Sequence, residues 1–427
     1  MPVEGGHSLW ITIADRPEFS TEETTLGYVT QSQLAQIRSL PLPGEIALIA
    51  RCVLALSYFQ RQRFDQAIKQ FKNVLSSPEL PPAAPPRPYL NFLLGTSYNR
   101  VSSPAPDSDL KLAIAAFDET LIELPRDSQP LVWAATFNNR GNAYRGLRGP
   151  DRAANLQEAL RSYDTALQIL NAKAHPEEWA LVVTNKAVAL AEVPAADADV
   201  NLRLAIGFLD DALAVYTVRG NPSRWAMVMH NRGVAYRRLQ GPNREANLRE
   251  AIRNFDLCLE IRRRDRFPLK WAVTMNARGR AYGELPGPDR TANVREAIRC
   301  FDSVLEVRTR ERYAVAWAET MSNRAGAFAL LPEGDRDTNL REAIRCYDLA
   351  LEVRKRDSYP FDWAITTLNR AEAYLQLDGP EGAGNVGEAV RGFESALEVF
   401  QGMGLAQYAA DCRARLDGAR KLVARSH

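Results

Sequence analysis

Residues 225–270 have the sequence WAMVMHNRGVAYRRLQGPNREANLREAIRNFDLCLEIRRRDRFPLK, and a closely similar stretch begins at Trp271. The unit recurs with six tryptophans spaced 46 residues apart: Trp133, Trp179, Trp225, Trp271, Trp317 and Trp363. Alanine follows each tryptophan, and the eleventh residue after it is Tyr, Phe or Leu. A period of this length predicts an array in which each unit buries its apolar face against its neighbours.

The first part of each unit has the pattern of an amphipathic helix, which we call helix A. Counted from the tryptophan, positions +1, +4, +8 and +11 fall on one face of a helix. A proline three residues before the tryptophan suits the first helical turn, where its missing N–H is not needed. Five units have it: Pro130, Pro176, Pro222, Pro268 and Pro360.

The second part of each unit predicts another helix, helix B. Its alanines keep the same period: Ala67, Ala113, Ala159, Ala205, Ala251, Ala297, Ala343 and Ala389. A large residue follows each alanine by four positions, which indicates close packing against neighbouring helices. Asparagines precede the alanines by four positions, and Glu follows most of them by three, so a capping box is predicted to begin helix B there. These are Asn155, Asn201, Asn247, Asn293, Asn339 and Asn385.

Two antiparallel helices per unit predict an all-α fold, an α-solenoid of about eight helix-turn-helix repeats. The repeats span residues 45–400, and residues 401–427 are predicted to be a C-terminal capping helix and tail. Residues 1–44 are a non-repeat N-terminal segment that includes Trp10, the only tryptophan off the period. This segment either caps the first repeat, lies in the groove of its own chain as an occluding extension, or adds to another protomer.

The repeat resembles the tetratricopeptide repeat (TPR) family. Gly141, Tyr144, Ala159, Tyr163 and Ala166 match the small and aromatic positions of that motif in one unit, and the similarity covers roughly residues 45–425. The usual unit is shorter, so the chain looks like the long-unit, 46-residue bacterial type, some of which carry or partner caspase-like CHAT peptidases. The resemblance implies a right-handed superhelix that acts as a protein-binding scaffold, with the polar side of helix A lining a concave groove.

The composition excludes several other classes. Lys and Arg number 54 against 52 Asp and Glu, so a net charge of +2 gives no global attraction to nucleic acid or to a membrane. No apolar stretch is long enough for a membrane span. Five cysteines without a CxxC pair indicate a reducing, cytoplasmic environment. Scattered histidines and the lack of nucleotide or nucleophile motifs predict no metal, no cofactor and no enzyme activity.

Polar residues opposite the tryptophan face are the candidate binding residues. Position +6 is Asn in five units, and an amide can both donate to and accept from a peptide backbone. The predicted peptide-binding groove comprises Asn138, Asn139, Asn142, Arg145, Asn185, His230, Asn231, Arg237, Asn276, Arg280, Asn323 and Asn369. Its basic members favour an acidic peptide or a C-terminal carboxylate as the ligand. The alternative is that the asparagines bond within the array and only stabilise it.

A basic row and an acidic row share the same period. Helix A has Arg140, Lys186, Arg232, Arg278, Arg324 and Arg370, and helix B has Asp164, Asp210, Asp256, Asp302 and Asp348, preceded by Asp118. Equal periods favour ion pairs, within a repeat or across its boundary, which fix the helix register more than they add net stability. The alternative is a phosphate- or nucleic-acid-binding stripe, which requires unpaired arginines facing the groove.

Together these patterns predict a non-enzymatic protein-protein interaction scaffold that binds a protein or peptide. The alternatives are a nucleic-acid-binding helical-repeat protein that uses the periodic arginines, and a regulatory or adaptor subunit of a protease or defence enzyme. Homo-oligomers through the ends of the solenoid or through the N-terminal segment are a further possibility.

Overall fold

The computed structural model describes residues 44–80, 84–101, 106–127, 129–149, 151–194, 198–377 and 382–425. The predicted roles of residues 1–44, including Trp10, fall almost wholly outside these described residues. The chain is an all-α helical-repeat solenoid, and its described part contains helices and no strand. It divides into two compact units, which end and begin at Pro194 and Ala195. No helix within the described ranges is long and apolar enough to cross a membrane.

The first unit contains α1 (Gly44–Gln60), α2 (Phe64–Leu75), α3 (Arg87–Arg100), α4 (Pro106–Glu123), α5 (Pro130–Gly146), α6 (Arg152–Leu167) and α7 (Pro176–Glu192). The second contains α8 (Ala198–Val215), α9 (Pro222–Arg238), α10 (Arg244–Ile261), α11 (Pro268–Glu284), α12 (Arg290–Leu305), α13 (Arg310–Leu330), α14 (Arg336–Val353), α15 (Pro360–Leu375), α16 (Gly382–Gly402) and α17 (Ala406–Arg425). Odd numbers up to α15 are helix A and even numbers are helix B.

The repeat prolines begin helix A where the sequence predicts. Each is the first residue of its helix, and the residue before it is non-helical, as at Phe267 with φ −135° and ψ 60°. One unit has Ala314 in place of proline. There Tyr313 keeps a similar backbone, φ −141° and ψ 49°, so α13 consists of a short helical turn and helix A, joined across a kink at Tyr313. Helix A thus begins at the same place without proline, and proline suits this first turn without being required for it.

The core of each unit is formed by the small and large residues of helix B. The periodic alanines are fully buried, as Ala251 and Ala297 illustrate, and so are the aromatic rings one turn later, such as Phe301. Helix A approaches these rings closely at position +8. At Gly279 a Cβ atom would lie 2.8 Å from Cε1 of Phe301, so only glycine fits there without a shift.

The periodic tryptophans pack at the edge of this core. Trp271 is buried, and the Arg264 guanidinium lies over its ring, 5.3 Å from the centroid. Arg310 and Arg356 cover Trp317 and Trp363 in the same way. Each of these arginines lies seven residues before its tryptophan, so the ring is enclosed by helix A and the segment that precedes it together.

Helix B begins four residues earlier than the capping-box pattern predicts, because that pattern makes the asparagine the N-cap. Its first residues include Arg152, Arg244, Arg290 and Arg336, so the periodic asparagines occupy the fourth position and do not cap the helix. The prediction is wrong because the turn arginine is itself helical, and the residue before it takes the N-cap. Among these N-caps, only Asp335 is seen to accept a side-chain hydrogen bond, from the Thr338 N–H.

The last helix, α17, packs on α16. Cys412, Leu416 and Ala419 join a buried cluster with Phe393 and Phe400 of α16. The Cys412 thiol donates to the Phe393 carbonyl at 3.3 Å. Helix α17 thereby covers an apolar face of α16 in the way that a further repeat would.

Candidate functional site

The asparagines of helix A join neighbouring repeats in the first unit. Asn185 Nδ2 donates to Asn138 Oδ1 at 2.9 Å, and Asn138 Nδ2 donates to Asn139 Oδ1 at 3.2 Å. Asn139 Nδ2 reaches the Thr96 hydroxyl at 3.4 Å. Asn138 and Asn139 are only 3% and 8% exposed, so these amides serve chiefly to connect α3, α5 and α7.

In the second unit, some asparagines of helix A bond to a neighbouring repeat and others have no described partner. Asn323 Nδ2 donates to Asn276 Oδ1 at 3.2 Å, and the buried Asn276 donates to Glu319 at 3.4 Å. Asn231 and Asn369 have the same position +6 in their helices and are half-buried. Neither has a hydrogen-bond partner among the residues that the structure describes, so their amides remain available to a ligand.

Most of the predicted basic groove residues are neutralised by their neighbours. Arg145 pairs with Glu192 at 3.0 Å, and Arg237 with Glu284 at 2.5 Å. The His230 ring contacts the Thr274 hydroxyl at 3.3 Å. Burial lowers the pKa of His230 to about 3, and it is therefore neutral at physiological pH.

Of two further members of the predicted groove, Asn142 is hydrogen-bonded to a neighbour and Arg280 is not. Asn142 Oδ1 accepts a hydrogen bond from the buried Tyr163 hydroxyl at 2.8 Å, so its amide helps to fix a core ring. Arg280 is exposed and makes no hydrogen bond or ion pair within the described part of the chain. Arg280 thus forms no direct ion pair among the described residues; desolvation lowers the pKa of its guanidinium, and the nearby carboxylates of Glu284 and Glu319 partly offset this effect.

The basic and acidic rows form ion pairs between helix B of one repeat and helix A of the next. The distances are 2.7 Å for Arg140–Asp118, 2.6 Å for Lys186–Asp164, 2.7 Å for Arg232–Asp210, 2.7 Å for Arg278–Asp256, 2.7 Å for Arg324–Asp302 and 2.5 Å for Arg370–Asp348. Every basic residue named for this row is thus engaged by an acidic residue named for the other.

The central arginines of the row make additional contacts. Arg278 Nη1 lies 2.7 Å from Glu296, and the guanidinium stacks on the Tyr282 ring at 4.7 Å. Although desolvation opposes it, the pKa of Arg278 is raised because Glu296 and Asp256 accept its hydrogen bonds. These donors are already used within the array, which leaves little capacity to bind phosphate.

A row of arginines in the turns was not singled out from the sequence. In the Gly-Pro turns, the arginine that begins helix B donates back to the last carbonyls of helix A, as Arg244 does to Leu239 at 2.8 Å. Arg290 donates to Gly283 at 2.6 Å and to Leu285 at 3.1 Å. Carbonyls at a helix C-terminus lack intrahelical partners, so these arginines cap helix A. The recurrence of GPDR and GPNR was the signal.

A second row was also missed, at the end of helix B. Arg262, Arg308 and Arg354 are 46 residues apart, and each donates to a threonine hydroxyl on the next helix A. Arg308 lies 3.5 Å from Glu319, and Arg354 lies 3.7 Å from Asp362. Among the residues that the structure describes, Arg262 donates only to the Thr274 hydroxyl, at 3.0 Å. The run of arginines before Pro268 is typical of a helix C-terminus. The sequence did not indicate that the guanidinium of one of them, Arg262, enters the interior.

Within the described residues, no group of His, Cys, Asp and Glu side chains has the arrangement of a metal site. All five cysteines are buried and free. Burial raises the pKa of Cys300 to about 11, although it lies beside Arg278, so its thiol stays protonated.

The similarity to solved structures is a similarity of fold. No protein-family model matches the sequence, and no curated protein sequence matches it. The Rap protein complexed with Competence and Sporulation Factor matches with a TM-score of 0.52 at 13% identity, covering 90% of this chain and 100% of that one. A signal transduction ATPase with numerous domains from Pyrococcus horikoshii, which has a tetratricopeptide repeat sensor, matches with a TM-score of 0.51 at 12% identity, covering 92% of this chain and 54% of that one.

The APC/C hetero-tetramer Cut9-Hcn1 matches with a TM-score of 0.50 at 14% identity, covering 96% of this chain and 62% of that one. Identities this low carry fold information alone. They place the chain among TPR-like helical-repeat solenoids.

Proposed function

We propose that the protein is a non-enzymatic scaffold that binds a peptide or an extended segment of a partner protein along helix A. The observation that carries this proposal is the pair of amides at Asn231 and Asn369, which have no partner in the described part of the chain. Equivalent amides elsewhere are used to join neighbouring helices. An unpartnered amide on a regularly spaced surface is suited to a peptide backbone, which offers a donor and an acceptor at every residue.

The preferred ligand is an acidic peptide or one that ends in a free carboxylate. Arg280 supports this preference because it is exposed and forms no ion pair within the described ranges. We propose no cofactor. The nucleic-acid alternative has less support, since the row from Arg140 to Arg370 is engaged by carboxylates.

We further propose that the chain is of the long-unit bacterial TPR type and acts in the cytoplasm. In this proposal residues 45–400 form the repeat array, residues 401–427 close it, and residues 1–44 cap the array or occupy the groove. The regular 46-residue period and the packing of α17 on α16 support this division.

Selection from a phage-displayed library of random short peptides tests the binding function. The full chain is compared with a double variant, Asn231→Ala with Asn369→Ala, whose side chains contact no described partner and whose fold should be unchanged. We expect the full chain to enrich related peptides and the double variant to lose most of that binding. Failure to enrich any peptide, or enrichment that the double variant retains in full, would contradict the proposal.

A further inference from the structure

Helix α11 is flanked by arginines whose acidic partners are missing. In the row at the end of helix B, Arg308 is close to Glu319 and Arg354 is close to Asp362. The residues at the equivalent positions near Arg262 are Val273 and Lys270. Arg262 therefore forms no ion pair within the described part of the chain, and its protein partner is the neutral Thr274 hydroxyl.

The row of turn arginines also lacks one acidic partner, at the C-terminal end of α11. Arg152 pairs with Glu192, and Arg244 pairs with Glu284 at 2.5 Å. The residue equivalent to Glu284 for Arg290 is Leu330, which is 52% exposed. Arg290 contacts the carbonyls of Gly283 and Leu285 and no carboxylate among the described residues.

Arg280 lies between these two positions along α11. It is exposed, and it too has no ion pair in the part of the chain that the structure describes. The contact of Arg262 is at Thr274 and that of Arg290 is at Gly283, which brackets Arg280 along the helix axis. At the rise of an α-helix, the stretch from Thr274 to Gly283 is about 13 Å long.

Burial makes the missing acids costly. The Arg262 Nε is buried and has no hydrogen-bond partner among the described atoms. Desolvation lowers the pKa of Arg262, and it lowers the pKa of Arg290 as well. A guanidinium held away from water without a carboxylate reduces stability, so such groups are typical of sites that are completed by a ligand.

We infer that the surface formed by Arg262, Arg280 and Arg290 around α11 binds an acidic peptide segment, whose carboxylates replace the missing acidic partners. This inference rests on the proposed function and names the ligand and its site. Val273 and Leu330, 41% and 52% exposed, stand where the acidic residues of neighbouring repeats would be and offer apolar contacts beside the charges. The segment therefore carries both acidic and apolar side chains.

The length of the segment follows from the geometry. An extended chain advances about 3.3 Å per residue, so four or five residues span the stretch of α11 from Thr274 to Gly283. Side chains on one side of an extended strand alternate with those on the other. Acidic side chains at alternate positions are consequently those that would reach the three guanidinium groups.

The test is fluorescence anisotropy of the full chain with a labelled synthetic peptide of alternating Glu and Leu. The counter-probe has Gln in place of every Glu. We expect the Glu peptide to bind, with affinity falling as salt is raised, and the Gln peptide to bind at least about tenfold more weakly. Equal binding of the two peptides, or no binding of the Glu peptide, would overturn the inference.

Two variants locate the site. Arg280→Glu should reduce binding of the Glu peptide by at least about tenfold, because it replaces an attraction with a repulsion. Arg341→Glu is the matched control: it makes the same charge change at an exposed position on α14 and should leave the affinity unchanged. An equal loss of affinity in both variants would mean that only the net charge of the protein matters, and this result would overturn the assigned site.

Arg262→Met provides a readout that a structural role would not give. If Arg262 serves a ligand, the variant should bind the Glu peptide more weakly and have a higher urea midpoint than the parent chain. A lower midpoint with unchanged binding would assign Arg262 a structural role and overturn its part in the site. An oligouridylate RNA that displaced the peptide and bound more tightly than it would overturn the peptide as the ligand.

The library selection described above separates this inference from the proposed function. Neutral peptides that are enriched by the full chain and lost in the Asn231→Ala, Asn369→Ala variant would leave the scaffold function standing and overturn the acidic ligand. No enrichment of any sequence would overturn both.

Discussion

The Arg278 Nε lies 2.7 Å from the Asp256 Oδ1, and this ion pair joins α10 of one repeat to α11 of the next. The arginine is 17% exposed at its side chain and the aspartate 49%, so the pair lies at the border of the core. The two residues are 22 positions apart, and the same separation holds in the other repeats with this pair. The contact therefore fixes the register between consecutive repeats.

Exchanging the charges of one such pair should preserve most of the stability that the pair contributes. We expect Lys186→Asp alone to lower the free energy of unfolding by about 1–2 kcal/mol, because it places two carboxylates together. Adding Asp164→Lys should restore most of the loss, since the Lys186–Asp164 pair is then formed in reverse. Urea unfolding of the single and double variants measures the recovery.

The comparison exchange is Arg232→Asp with Asp210→Arg. Arg232 also donates to Glu250 at 2.9 Å, whereas the residue 46 positions before Glu250 is Leu204. An aspartate at position 232 would face the Glu250 carboxylate, so the recovery should be smaller than for Lys186 and Asp164. Equal recovery in both pairs would argue against the additional contact with Glu250.

The close approach of helix A to helix B predicts the effect of a single methyl group. Gly279→Ala should lower the free energy of unfolding by about 1–3 kcal/mol, because the new Cβ would lie 2.8 Å from the Phe301 ring. Gly207→Ala in α8 is the control, since nothing lies within 4 Å of its Cβ position. It should stabilise the chain by about 0.5–1 kcal/mol through helix propensity. Thermal unfolding distinguishes the two, and a stable Gly279→Ala variant would contradict the packing argument.

The asparagine network predicts unequal costs for chemically identical substitutions. Asn138→Ala should lower the free energy of unfolding by about 1–3 kcal/mol, because it leaves the amides of Asn139 and Asn185 with fewer partners in a buried place. Asn369→Ala should change it by less than about 0.5 kcal/mol, since this side chain has no described partner. Chemical denaturation measures both, and a similar loss in the two variants would show that Asn369 has a structural role.

The acidic partner of Arg324 and Arg345 predicts a pH dependence. Hydrogen bonds from Arg345 and Arg324 outweigh burial and lower the pKa of Glu342 from 4.5 to about 2. A carboxylate with a lowered pKa in the folded state stabilises the fold above its ordinary pKa, and that contribution is lost as the pH falls from about 4.5 toward 2.

Unfolding by urea across this pH range should therefore show a larger loss of stability for the parent chain than for Glu342→Gln. Near neutral pH the variant should be less stable, and the two curves should converge at the acidic end. Parallel curves would mean that Glu342 does not contribute through its charge.

The sequence predicted the repeat and its helices well because few residue types satisfy the packing. Ala297 and Phe301 are buried as their spacing indicates, and the repeat prolines begin helix A. The start of helix B was placed too late, because Asn and Glu at capping-box spacing also suit the second turn of a helix. The turn arginine decided the outcome through contacts with helix A, and these are tertiary contacts that a local pattern does not contain.

The sequence predicted the residue types of the candidate site, but it did not predict which of these side chains are already paired with a neighbour. A helical wheel places Arg237 and Arg280 on the same side, yet Arg237 pairs with Glu284, whereas Arg280 forms no ion pair among the described residues. Arg262 was hidden among several consecutive arginines, and only the structure shows which guanidinium is enclosed. An arginine that lacks an acidic partner is recognised by comparison with the equivalent arginine 46 positions away, which has one. The neighbouring repeats must therefore be compared position by position.

The ion pair between consecutive repeats also has an evolutionary consequence. Because its two residues lie on opposite sides of a repeat boundary, loss or duplication of 46 codons in frame regenerates the same contact. Removing residues 268–313, for example, would put Arg324 at the separation from Asp256 that Arg278 now has. Unequal recombination within the gene can therefore change the number of repeats without new compensating substitutions.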